Sequence, residues 1–169
     1  MDNVNYNFQI VEKLFETKKV EQELLLNKPI FILIVSIIEC TLYDLLRRVK
    51  EHRKEIIPGL DRKSINDTRN KVTDELSPII SHIQKHNYLQ IKTGDTLYED
   101  LDNLRKIRNR IHIQNRSAHN PIDEYQVWSD ANLNLAGKTL ERIYKVLCLS
   151  YPRPNKEFIS FSVFPRPWL

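Results

Sequence analysis

Residues 29–52 carry the feature that most restricts how this chain can fold. Pro29 suits the first turn of a helix, where its missing N–H would have no intrahelical acceptor and its fixed φ is already helical. From Ile30 the chain then reads IFILIVSII, apolar on every side of a helix except at Ser36. A helix apolar all round must be enclosed, so this element is expected to be the central helix of a bundle. Its second half, Leu42 to Lys50, turns amphipathic, and the helix is expected to run to about His52. The continuous apolar run covers about nine residues, against roughly 20 needed to cross a bilayer, which favours a core helix over a membrane span.

The remaining periodicity also points to helices. A first helix is expected from Asn5 to about Leu26, with Phe8, Val11, Leu14, Phe15, Leu25 and Leu26 on its apolar face. Pro58-Gly59 is a break. A third helix is expected from about Ser64 to Lys85, using Ile65, Val72, Leu76, Ile79, Ile80 and Ile83, with a kink or split at Pro78. Thr96 and Glu99 have the spacing of a capping box ahead of a fourth helix that ends near Asn115. A fifth spans Ile122 to about Leu149. Beyond Tyr151, alternating apolar residues between prolines read as an extended arm. Its Phe161, Phe164 and Trp168 are expected to dock on the bundle or on a second subunit. The expected architecture is all-α: one bundle of four to five helices over residues 1–150, with a Pro/aromatic C-terminal arm over 151–169.

Composition is consistent with this. A chain of 169 residues with 41% hydrophobic and 28% charged residues has the size and balance of one globular domain. Cys40 and Cys148 lie in apolar helical patterns and are read as buried free thiols of a reducing compartment; a disulfide between two helices is the alternative. The first ten residues have an acid at position 2 and no basic run, unlike a secretory signal. A cytoplasmic protein without membrane association is expected.

The net charge of +4 is modest, but it is unevenly placed. No acidic residue occurs from Asn103 to Ile122, while Arg105, Lys106, Arg108, Arg110 and Arg116 are basic. At about 100° per residue, Arg105, Arg108, Asn109, His112 and Arg116 share one stripe of a continuing helix. Leu97, Leu101, Leu104, Ile107 and Ile111 form an adjoining apolar seam. A histidine there can act as acid or base on a ribose 2′-hydroxyl or leaving oxygen, and arginine can hold a phosphate. The same pattern also suits a nucleic-acid-binding helix or a salt-bridged packing element. Glu39 sits in the most buried helix, where a carboxylate needs a partner. Arg108 or Arg105 is the expected one.

Other chemistry is weakly indicated. His82 and His86 have a spacing that can chelate zinc, but nothing nearby completes the set, and a surface face accounts for them better. Tyr125 and Trp128 read as core or interface aromatics. Gly-rich phosphate loops, GxSxG and CxxC are absent from the sequence. No metal or cofactor is called for.

The buried helix with a mid-helix acid, Ile34-Val35-Ser36-Ile37-Ile38-Glu39-Cys40-Thr41-Leu42, and the later Leu104-Arg105-Lys106-Ile107-Arg108-Asn109-Arg110-Ile111-His112 together resemble the HEPN superfamily (higher eukaryotes and prokaryotes nucleotide-binding). The resemblance covers roughly residues 29–115. It implies a small helical bundle that dimerises and, in active members, a metal-independent endoribonuclease of toxin–antitoxin or defence systems. It also leaves room for an antitoxin or nucleotidyltransferase partner. The family motif is an arginine, four to six residues and then a histidine, with a polar residue commonly just after the arginine. Arg105 and His112 match its spacing; Arg108-Asn109 matches its dipeptide. By this resemblance Arg105, Arg108, Asn109 and His112 are catalytic candidates, Lys106, Arg110 and Arg116 bind RNA, and Glu39 orients an arginine from behind. A catalytically inactive RNA- or nucleotide-binding or dimerisation module is the alternative.

Overall fold

The computed structural model describes residues 2–21, 24–51, 61–70, 75–111 and 123–151. They form seven α-helices: α1 (Asp2–Glu21), α2 (Asn27–Glu51), α3 (Arg62–Arg69), α4 (Leu76–Lys85), α5 (Leu97–Arg108), α6 (Glu124–Val127) and α7 (Asp130–Ser150). Short 3₁₀ turns cover Leu24–Leu26 and Asn109–Ile111. Among the described residues there is no strand, so the all-α expectation holds. The expected arm over 151–169 lies outside them from residue 152 onward.

The central element is α2. Ile30, Phe31, Ile34, Val35, Ile37, Ile38, Leu42, Leu45, Leu46 and Val49 are all buried, and α1, α3, α4, α5 and α7 pack around it. Counting only the unbroken run to Ile38 understates its apolar length. The helical stretch Leu24–Glu51 is 28 residues long and apolar enough by length and composition to cross a membrane. From Ile30 to Val49, most of its apolar side chains are packed against those of its neighbours. Asn27, fully buried at its start, donates through Nδ2 to the Trp128 carbonyl (2.8 Å) and Asp130 Oδ1 (3.1 Å). This ties the beginning of α2 to the joint between α6 and α7.

Several boundaries differ from the periodicity. α1 ends at Glu21 and Leu25 is exposed in the following turn, not on a buried face. The expected third helix is two. Its break precedes Pro78, which sits in the first turn of α4, where proline is tolerated; Val72 lies outside the described residues. Thr96 does not cap α5 through its side chain. Its φ of −90° and ψ of 2° depart from the extended conformation a cap needs. Asp95 Oδ1 accepts from Leu97 N–H instead (2.9 Å). The expected fifth helix divides at Trp128, and Ser129 caps α7 by accepting from Asn132 N–H (3.4 Å). Trp128 is buried as expected, while Tyr125 is exposed.

Cys40 and Cys148 are free but exposed, which corrects the buried reading. Cys40 falls between Glu39 and the exposed Tyr43 on the outer side of α2, and Cys148 lies on the exposed end of α7. Burial pushes the Tyr144 phenol up to about 12, with Cys40 and Cys148 adding smaller through-space effects. His82 and His86 are likewise not a surface face. His82 is buried, and its Nε2 meets Thr68 Oγ1 at 2.8 Å. His86 Nδ1 meets Ser64 Oγ at 2.9 Å. Thr68 also bonds the Tyr88 hydroxyl, which donates to the Ser64 carbonyl (2.9 Å). The two histidines dock α3 onto α4. Among the described residues no cluster of His, Cys, Asp and Glu could hold a metal ion.

Candidate phosphate-binding site at the end of α5

α5 starts against α7, where Arg142 pairs with Asp95 and with Asp100 (3.4 Å). Leu97, Leu101 and Leu104 bury its inner face. The basic residues follow in its last turn, where cations also favour the helix dipole.

Arg108 Nη2 donates to Glu39 Oε2 at 3.2 Å. This is one of the two pairings expected for Glu39. The burial is less complete than the sequence suggested: the Glu39 side chain is 23% exposed and that of Arg108 35%. The pair therefore lies at the rim of the α2–α5 contact, with part of the guanidinium facing solvent.

Arg105 is engaged elsewhere. Its Nε and Nη2 both donate to Asp102 Oδ1 (2.9 and 2.7 Å), and Lys106 Nζ pairs with Asp102 Oδ2 at 2.8 Å. Lys106 above all, with help from Arg105 and against the opposing effect of burial, holds the Asp102 carboxyl below its ordinary value. Asp102 is not among the expected site residues because it precedes the acid-free segment. Its i, i+3 and i, i+4 spacing to the two cations was the available signal.

The α-helix gives way at Asn109, whose N–H points to the carbonyls of Arg105 and Ile107. A 3₁₀ turn advances about 120° per residue instead of 100°, so by Ile111 the side chains are rotated about 40° from helical continuation. Ile111 leaves the apolar seam and is exposed, while Arg110 is 9% exposed. Arg110 thus does not stand on a solvated RNA-facing stripe. The stripe drawn for a continuous α-helix holds through Arg108. His112 and Arg116, its next members, lie outside the described residues.

Three cations, Arg105, Lys106 and Arg108, thus meet two carboxylates, Asp102 and Glu39, at this end of α5. The excess positive charge suits an anionic ligand, and a guanidinium with unused donors at a rim suits a phosphate oxygen. Neither a known protein family, nor a curated protein, nor a solved structure matches this chain.

Proposed function

We propose that this chain is a HEPN-like, homodimeric endoribonuclease that cuts single-stranded RNA without a metal, as a cytoplasmic toxin or phage-defence component. The observation that carries the reading is the Arg108–Glu39 pair at 3.2 Å. The carboxylate fixes one side of the guanidinium from behind, leaving other donors at the rim for a phosphate. Because Arg105 is committed to Asp102 in a two-nitrogen contact, Arg108 followed by Asn109 is the better candidate for the motif arginine.

In this mechanism His112 takes the proton from the 2′-hydroxyl or returns one to the 5′-oxygen. The 2′-oxygen forms a bond to phosphorus as the phosphorus–5′-oxygen bond breaks. Arg108, with Arg105 beside it, binds the scissile phosphate and stabilises the charge that develops on it. Asn109 hydrogen-bonds a phosphate or 2′-hydroxyl oxygen. Lys106 and Arg116 contact the rest of the RNA backbone. Two copies meet through an isologous interface beside the motif. The test is incubation of wild type and His112→Ala with mixed RNA in chelator: the wild type cleaves and the variant does not.

The pairing of Arg105 and Lys106 with Asp102 favours a second reading, a non-catalytic RNA-binding module. It would show salt-dependent binding with no product.

A further inference from the structure

Arg110 carries more than a place in a basic run. The turn at Asn109–Ile111 carries its side chain into the protein, where Nε and Nη1 are enclosed with no hydrogen-bond acceptor among the described residues. The carboxylate nearest in influence, Glu124, is already engaged. Its Oε2 accepts from Trp128 Nε1 (2.6 Å) and Lys28 Nζ (3.0 Å), and Lys28 lies over the Trp128 ring, 5.1 Å from its centre. These two bonds, Trp128 first, hold Glu124 below its usual range, with Arg110 adding a lesser, through-space effect. Asn27 Oδ1, alongside Trp128, is enclosed without a donor as well. A buried guanidinium without an acceptor weakens the fold, and folding alone gives no reason to place one here.

The missing acceptor is anionic, and a phosphate oxygen fits guanidinium geometry. It cannot be the phosphate held at Arg108. Arg110 lies in the 3₁₀ turn, so its side chain projects about 220–240° around the axis from that of Arg108. On α2, Arg108 reaches Glu39, whereas the carboxylate that feels the charge of Arg110 is Glu124, tied to Lys28 eleven positions earlier. Those anchors are about 16 Å apart along the helix.

We propose that Arg110 binds a second phosphate of the RNA, outside the one held at Arg108. The proposal rests on the RNA-binding reading and specifies a ligand with at least two backbone phosphates. A dinucleoside monophosphate has one and can fill only one of the two positions.

The experiment measures binding of the full chain to fluorescein-labelled 2′-O-methyl hexauridylate and 2′-O-methyl UpU, which resist 2′-hydroxyl attack, together with melting temperatures without RNA. Arg110→Met should bind the hexamer about tenfold or more weakly, bind UpU unchanged, and melt no lower than wild type. Arg110→Lys should recover part of the lost affinity. Unchanged hexamer binding by Arg110→Met overturns the proposal, as does a lowered melting temperature, which marks a structural role. If the wild type itself binds neither probe, the RNA reading fails along with it, a result distinct from a defect confined to the variant.

Discussion

Arg108 donates to Glu39 across 3.2 Å, from the last turn of α5 to the middle of α2. The contact places a cation that the helix dipole already favours against a carboxylate that an apolar helix cannot leave alone. Both side chains keep some solvent exposure, so the pair should orient more than it stabilises. Glu39→Gln is expected to cost about 1 kcal/mol or less in denaturant unfolding. RNA cleavage should fall by a larger factor than that loss explains. A large stability loss with unchanged cleavage would contradict an orienting role.

The polar contact between α3 and α4 should matter more to folding. Thr68 Oγ1 is shared among the Ser64 carbonyl, His82 and the Tyr88 hydroxyl, all buried. Thr68→Val keeps the shape and strands these partners, so stability should drop by about 1–3 kcal/mol. Thr68→Ser should retain most of it. Urea unfolding of the two variants separates loss of the hydroxyl from loss of the methyl.

Acid should loosen the corner where α1, α2 and α7 meet. Lys18, bonded at 2.6 Å, and to a lesser degree Asn27 hold the Asp130 carboxyl below its ordinary 3.8, against the opposing effect of burial. A carboxyl depressed in the folded state adds stability above its unfolded value, lost as pH falls through its folded value. Asp130→Asn should therefore lower the melting temperature at pH 7, and the difference from wild type should shrink below about pH 4. A difference that stays constant with pH would rule out the carboxylate as its source.

What could be read from the residues follows a physical line. The all-round apolar run of α2 has one kind of stable environment, and Glu39 within it has few cations in reach, so both the central helix and its arginine partner were legible. Local turns were not. Pro78 signalled a break but lies in the first turn of α4, and the split upstream has no comparable marker. The 3₁₀ turn at Asn109 has no distinct residue signature, yet it exchanges the positions expected for Arg110 and Ile111. Asp102 pairs with both Arg105 and Lys106 from just outside the acid-free segment. His82 and His86 depended on α3, whose docking no periodicity within α4 could reveal.

Arg105 and Arg108 should separate in their effects on cleavage. Since Arg105 is spent on Asp102 and Arg108 is fixed from behind by Glu39, Arg108→Ala should reduce the rate by about 10²-fold or more. Arg105→Ala should reduce it less. Single-turnover cleavage rates of the two variants decide which arginine serves the phosphate.

The most direct measurement is cleavage of mixed RNA by purified wild-type protein in EDTA, with His112→Ala as the paired control. Metal-independent cleavage by wild type, reduced about 10²–10⁴-fold in a folded His112→Ala protein, is the expected result. Wild-type protein that leaves every RNA intact, or a His112→Ala protein that cleaves as fast as wild type, would contradict the account.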